Sequence, residues 1–465
     1  MELRRAFRAI LALTLGLCAP VATPAATLTV DGSLCALGDA IVAANTDTTT
    51  GGCAAGDPGA DTLVLDADVV LSTAETVRAT RQQGHFGGLP DVTSEITIQA
   101  GLADRVTRDP SLGCFPDMPN RFRIVNVVEG QLTLSGITAA HGCASTGGGF
   151  FVGRGSLTVE NSTLEQHTAL ATTVRSEGGA VVVSELGELT VTDSVFSENR
   201  AGGNILSAQG GAIAVQLNGR IVSIGGSTFE GNEARGESPP GSNQVLGRGG
   251  AIFFFQGDQF GPITNSLFSN NAAVGSSSFA DDGGDAYGGA IMVEETSTGS
   301  VNSIELISGS TFVNNRAEGG ASEESRGGDA FGGAISGGTG VVRDSSFDGN
   351  QAIGGASPAS LGGRSWGGAL FQPSDELVNT RFRGNVSQGG SGRLGAAGVA
   401  GGVYVSSSLA ELRRIEDVTF ENNAARGGDG LDNRGSAEGG AFLGFSGPDF
   451  LNVTLSSNLA AVGAG

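Results

Sequence analysis

Two short stations alternate along this chain, nine times each, and that recurrence restricts the fold to a stack of similar units. One is a Gly-Gly step followed by a small and an apolar residue, as in Gly210-Gly211-Ala212-Ile213. It begins at Gly148, Gly178, Gly210, Gly249, Gly288, Gly332, Gly367, Gly401 and Gly439, at intervals of 30 to 44 residues. The other is Phe-x-x-Asn. It pairs Phe196 with Asn199, Phe229 with Asn232, Phe268 with Asn271, Phe312 with Asn315, Phe347 with Asn350, Phe382 with Asn385 and Phe420 with Asn423. Degenerate copies at Leu164/His167 and Leu455/Asn458 flank the series.

Between the stations lies a segment of period two, such as Leu157-Thr158-Val159 or Leu189-Thr190-Val191, rich in Val, Ile and Thr as short strands are. Val159 and Leu164 have opposite parity, so both face one core only if the chain bends between them. Each repeat then reads as strand, bend, strand, bend, strand, one coil of an all-β right-handed parallel β-helix. The Phe is expected inward, and the Asn at the following turn, where it tolerates left-handed backbone and bonds to the next coil in a ladder. The glycines supply positive φ or close backbone approach. Strand-like pieces from Asp61 to His141 add two or three coils, for about 11 to 12 in all, each rising roughly 4.8 Å. The interval varies mostly between the Asn and the next Gly-Gly, as at 236–241 and 275–278. One side of the rod is therefore expected to carry polar, glycine-rich loops, and function with them.

A solenoid of this length is one elongated domain. We expect a secretory signal over 1–25, a cap over 26–60 and the β-helix over 61–465, with its regular repeats at 148–458. Arg4, Arg5 and Arg8 precede an apolar run from Ile10 to Ala19 and small residues at Thr23-Pro24-Ala25, the order of an export signal. Cys18 raises a lipoprotein alternative. No other segment is long and apolar enough to span a bilayer. Leu37, Ile41 and Ala44 recur at helical spacing, so a helix is expected to cover the first coil. Four further cysteines, Cys35, Cys53, Cys114 and Cys143, suit disulfides in an exported chain. Pairing of neighbours, Cys35 with Cys53 and Cys114 with Cys143, is the simplest of the three connectivities.

The net charge is −22, and all 26 basic residues are arginine. Without a basic stripe, nucleic acid is excluded as a partner.

The alternating Gly-Gly-Ala-Ile and Phe-x-x-Asn stations resemble the repeats of polymorphic outer membrane proteins, first recognised in chlamydial surface proteins, over about Gly148 to Asn458. The stretch Cys35-Ala36-Leu37-Gly38-Asp39-Ala40-Ile41, followed by Cys53, is similar to the start of bacterial surface proteins named for a Cys-Ser-Leu-Arg-Glu-Ala motif. Ala36, Gly38 and Asp39 depart from it. Both resemblances imply export and a parallel β-helix. The first also implies an adhesin passenger carried by a C-terminal β-barrel, for which residues up to Gly465 offer no strand pattern.

Parallel β-helices also host polysaccharide lyases and hydrolases, which need paired carboxylates or a carboxylate-bound Ca²⁺. The best cluster is Asp281, Asp282 and Asp285, with Asp329 one repeat later; Asp429 and Asp432 occupy a similar loop. Stacking makes Asp285 and Asp329 neighbours. A weak Ca²⁺ site is the functional reading of these residues, and solvated acid on glycine loops the plain one. His85, His141 and His167 fit no nucleophile or metal spacing, and His167 takes a ladder position. Tyr287, Phe331 and Trp366 each precede a Gly-Gly station and suggest a stacked row, packing or a sugar platform. The expectation is a non-enzymatic surface or secreted rod without a cofactor, adhesin-like and binding a protein or polysaccharide through its loop side, or else a structural spacer with no ligand. The alternative is a polysaccharide-active enzyme or carbohydrate-binding protein using the Asp281–Asp329 loops.

Overall fold

In a computed structural model, residues 25–465 are described apart from 79–84, 116–117, 119, 172–174, 204–205, 238–243, 295–302, 407–411 and 445–447. Residues 1–24 of the expected signal, with Cys18, and most of the 236–241 loop lie outside the described residues. The chain forms a β-solenoid of about 11 turns. Each regular coil contributes to five sheets rather than the three segments read from sequence, and every pairing between coils is parallel. The first sheet, of 13 strands, runs from Thr27–Val30 and Asp61–Leu65 to Asp449–Leu451. The second carries the Phe column, and the third begins after the ladder Asn. A short strand before the Gly-Gly step forms the fourth, and the strand after that step forms the fifth.

The Phe column is fully buried from Phe196 to Phe420. Its rings stack at 4.8–4.9 Å with interplanar angles of 2–12°. The rise of one coil equals strand spacing, so identical residues in register meet face to face. The ladder forms as expected. Asn232 Oδ1 accepts both the backbone N–H (3.1 Å) and the side-chain amide (3.0 Å) of Asn199, while its own amide donates to Phe196 O at 2.9 Å. The same set recurs through Asn271, Asn315, Asn350, Asn385 and Asn423 and ends on Asn458. His167 continues it at the other end, where Nδ1 accepts the Gly142 N–H at 2.9 Å. Burial without a counter-charge lowers the pKa of His167 to about 3, so it works as a neutral acceptor.

Three details differ from expectation. The ladder asparagines are not the left-handed residues; those stand one place earlier, at Asn270, Asn314 and Asn422 and at Gly231, Gly349 and Gly384. A second ladder lies two residues before each Phe, where Ser194 N–H donates to Ser227 Oγ (3.1 Å) and Ser227 N–H to Ser266 Oγ (3.2 Å), and so on to Ser345. Two Gly-Gly stations are also displaced by one. Phe150 pairs with Val181 and Leu370 with Val403, so the steps equivalent to Gly178 and Gly367 are Gly147 and Ala400. The first residue of the step has positive φ, and Ala400 adopts it too, at 56°. The second must be glycine for room: a Cβ on Gly211 would stand 2.1 Å from Gly250 O in the next coil.

At the N-terminal end the helix Leu37–Thr46 buries Leu37, Ala40, Ile41, Ala43 and Ala44 over the first coil. Such a cover shields edge strands and core that an open solenoid end exposes. Cys35 is bonded to Cys53 and Cys114 to Cys143, both ahead of the regular repeats. No helix among the described residues is long and apolar enough to cross a membrane.

Candidate functional site

The segments between the ladder Asn and the next Gly-Gly are not loose loops from 275 onward. In two of these coils the chain leaves the rod through a glycine pair and returns through another eight residues later, at Gly319-Gly320 and Gly327-Gly328 and at Gly354-Gly355 and Gly362-Gly363. The coils on either side keep one pair and a single glycine, as Gly275 with Gly283-Gly284 or Gly389-Gly390 with Gly395. Outgoing and returning backbones are zipped together and to the coils above and below. Gly320 N–H donates to Gly284 O, Gly328 to Gly320, Gly355 to Gly328, Gly363 to Gly355 and Gly390 to Gly363, all at 2.8 Å. The line continues through Ala396, Gly428 and Gly435 to Gly463. A Cβ at Gly355 would meet Gly320 O at 1.9 Å, so backbones this close admit only hydrogen at most of these positions.

Beyond this neck the segments stack as a lateral fin. Ser278 bridges Ser322, and the strands Ser357–Leu361, Gly392–Leu394 and Gly430–Asn433 form a parallel sheet of their own. Between the fin and the third sheet runs a groove of about 600 Å³ lined by residues of six successive coils. Arg235, Val274, Glu318, Ile353 and Gln388 form one wall; Ser277, Ala321, Ala356, Ser391 and Asp429 form the other, with glycine backbone between them.

The acid cluster sits at the base of the fin. Asp285 and Asp329 do follow one another down the stack, but each is turned onto the next coil's backbone. Asp285 Oδ1 accepts the Asp329 N–H at 2.7 Å, and its Oδ2 accepts the Tyr287 hydroxyl at 3.3 Å. Asp329 Oδ1 accepts the Arg364 N–H at 2.7 Å, and both its oxygens hold the Arg326 guanidinium at 2.6 and 2.8 Å. Asp282 accepts the Arg326 N–H at 2.9 Å and the Ser325 hydroxyl; Asp429 accepts the Ala464 N–H at 2.6 Å. Asp281 is exposed at the fin, and Asp432 pairs with Arg393 at 2.5 Å. Burial raises the pKa of both Asp285 and Asp329, against the amides that lower it. The Ser325 hydroxyl and the Arg326 amide lower that of Asp282. Among the described residues no group of three or more His, Cys, Asp or Glu side chains could hold a metal ion. The Ca²⁺ reading of Asp281, Asp282, Asp285 and Asp329 therefore gains no cage from the geometry.

Tyr287, Phe331 and Trp366 stack at 4.6 and 4.7 Å, both at 6°. Arg248 covers the remaining face of Tyr287 at 5.8 Å. Ring faces spent on one another leave mainly edges outward, which makes the row packing rather than a sugar platform. Across the Gly-Gly corner Phe331 meets Phe371 edge to face at 5.0 Å. Outward side chains on two sheets touch only where the corner is re-entrant, and here Val182, Ala214, Phe253 and Met292 fill it as a small external core. His141 adopts positive φ at a turn, and the side chain of His85 lies outside the described residues.

No protein-family model, curated protein or solved structure matches this chain.

Proposed function

We propose that this chain is an exported, non-enzymatic binding rod of a bacterial cell envelope or its surroundings, adhesin-like in action, with the fin groove as its contact face. The observation that carries the reading is the groove itself. It runs along the stack across six coils, with polar and apolar side chains alternating along its third-sheet wall, and suits an extended protein or polysaccharide chain lying along the rod. The fin beside it is held by backbone bonds, so a ligand meets a surface already in place and ordering costs little on binding. Export is supported by the two disulfides and by the order of residues 1–25. The resemblance to polymorphic outer membrane protein repeats supports the adhesin reading.

A polysaccharide-active enzyme is the second reading. It is favoured by one observation, two neighbouring carboxyls, Asp285 and Asp329, whose pKa values burial raises. One experiment separates the two. Purified protein is offered plant, algal and bacterial polysaccharides, with and without Ca²⁺, and both binding and new reducing or unsaturated ends are followed. Binding without turnover, weakened at least tenfold by Ala321→Arg/Ala356→Arg in the groove, is the expected result. Turnover abolished by Asp285→Asn/Asp329→Asn would establish the enzyme instead.

A further inference from the structure

The first coil contains a carboxylate where the next five coils place an aliphatic residue, before the column passes to Phe260, Ile304 and Thr339. Asp61 opens the strand Asp61–Leu65 and lies in register with Ile96, which continues into Leu132, Leu157, Leu189 and Ile221. Asp61 is fully buried. Its Oδ1 accepts the backbone N–H of Ala26 and of Asp57, each at 3.1 Å, while Oδ2 has no hydrogen-bonding partner. An ionised side chain in such a column is costly unless an opposite charge meets it.

We infer that Asp61 is the receptor for the α-ammonium of a chain cut between Ala25 and Ala26. The cut breaks one C–N bond by addition of water, through an endopeptidase of the signal-peptidase class. Ala25 leaves with the new carboxylate, and Ala26 keeps the new amine, which takes up a proton. Ala26 N then carries positive charge and three donors against Asp61, in place of one neutral amide. The surroundings fit both halves of this step. Ala25 is exposed, so the bond is reachable. Ala26 packs against the core and its carbonyl accepts the Thr62 N–H at 2.8 Å, which holds its nitrogen over the carboxylate. Removal of the export segment would therefore complete the first coil, and the inference rests on the reading of residues 1–25 as that segment.

The absence of lysine makes the test direct, because the α-amine is the one primary amine in the chain. A chain beginning at Ala26, released in vitro from a fusion, is treated with an amine-acylating reagent beside a chain beginning at Ala25. Labelling of the Ala26 chain should be about 100-fold slower than in urea, since the amine reacts only when the end opens. The Ala25 chain, and Asp61→Asn in the Ala26 chain, should label at nearly the unfolded rate. Equal labelling of the Ala26 and Ala25 chains would overturn the receptor role, whether or not Asp61→Asn folds. Separately, the full chain is expressed in an exporting bacterium and weighed intact. A mass starting at Ala26 supports the cut; a start elsewhere, retention of residues 1–25, or lipid on Cys18 overturns it without bearing on the labelling result.

Discussion

Two sides of the same coil hold it to its neighbours by opposite means. At the Phe-x-x-Asn side the contact is made by side chains: a buried ring stacked at 4.8 Å on the next and an amide that both donates to and accepts from adjacent coils. At the neck of the fin the contact is made by the near absence of side chains, with glycine backbones bonded at 2.8 Å across a space where no Cβ fits. The first side tolerates one imperfect copy at a time, as His167 in place of Asn demonstrates, because an acceptor in the right place is enough. The second tolerates little, since a single added carbon displaces backbone. Specificity of stacking comes from the ladder, and closeness from the neck.

Gly355→Ala should break the comparison most severely. Its Cβ would meet backbone atoms of Gly319 and Gly320, which no rotamer change relieves. We expect a loss of about 4 kcal/mol or more by denaturant unfolding, in the range reserved for changes that force backbone apart. A variant within about 0.5 kcal/mol of the parent would mean that the neck yields freely and that the fin is an appendage. Asn315→Ala comes next. It removes the acceptor of two donors from Asn271 and leaves Phe268 O and the Asn350 acceptor short of a partner, all in the buried interior. At about 1–3 kcal/mol for a stranded buried group, a loss of roughly 3 kcal/mol is expected. Asn315→His should recover part of it if geometry of the acceptor is what matters, as at His167; no recovery would restrict that substitution to the end of the stack.

How much of this was legible in sequence follows from the same contrast. The ladder was, because few residues other than Asn offer donor and acceptor at that reach, and a ring every coil can only stack. The five-sheet coil was not, since strands such as Ala286–Tyr287 and Ala330–Phe331 are two residues long and have no period to detect. The fin read as loop because glycine, serine and acid are also what loops are made of. Its signal was a glycine or glycine pair recurring six to eight residues after another within a coil, fully formed at 319/327 and 354/362. The serine ladder left a plainer trace, Ser or Thr two residues before each Phe from Phe196 to Phe382. At the candidate site, stacking placed Asp285 beside Asp329 correctly. Spacing alone carries nothing about where a carboxylate points, and these point at backbone amides.

A smaller effect is expected where the Gly-Gly step is imperfect. Ala400 holds the left-handed backbone that glycine holds in all eight other stations, at a cost of roughly 1 kcal/mol for an L-residue. Ala400→Gly should therefore stabilise by about that amount, partly offset by added freedom of the unfolded chain. A destabilised variant would show that the methyl group contributes packing worth more than the strain.

The smallest effect sharpens the contrast by charge. The asparagines of the ladder are neutral and should add nothing to the pH dependence of stability. On that side only the terminal His167 titrates, its lowered pKa making stability fall with pH below the ordinary imidazole range, whereas the base of the fin adds a dependence of its own. Asp285 and Asp329 have folded pKa values above their unfolded ones, chiefly through burial. For such groups the folded state takes up protons more readily than the unfolded state. Their contribution to stability is fully present below the ordinary carboxylate range and is lost as pH rises through the raised values. Asp282 runs the other way, its pKa lowered by Ser325 and Arg326, and weakens the net trend. Replacing the raised pair, as Asp285→Asn/Asp329→Asn, keeps an oxygen facing each capped amide and removes the titration. Unfolding midpoints measured between about pH 4 and 7 should then lose the part of their slope that favours acid. Asn315→Ala should instead lower every midpoint by a similar amount and leave the slope unchanged. If the Asp pair left the slope intact and the Asn variant altered it, the division between a neutral ladder and a titrating fin base would be wrong.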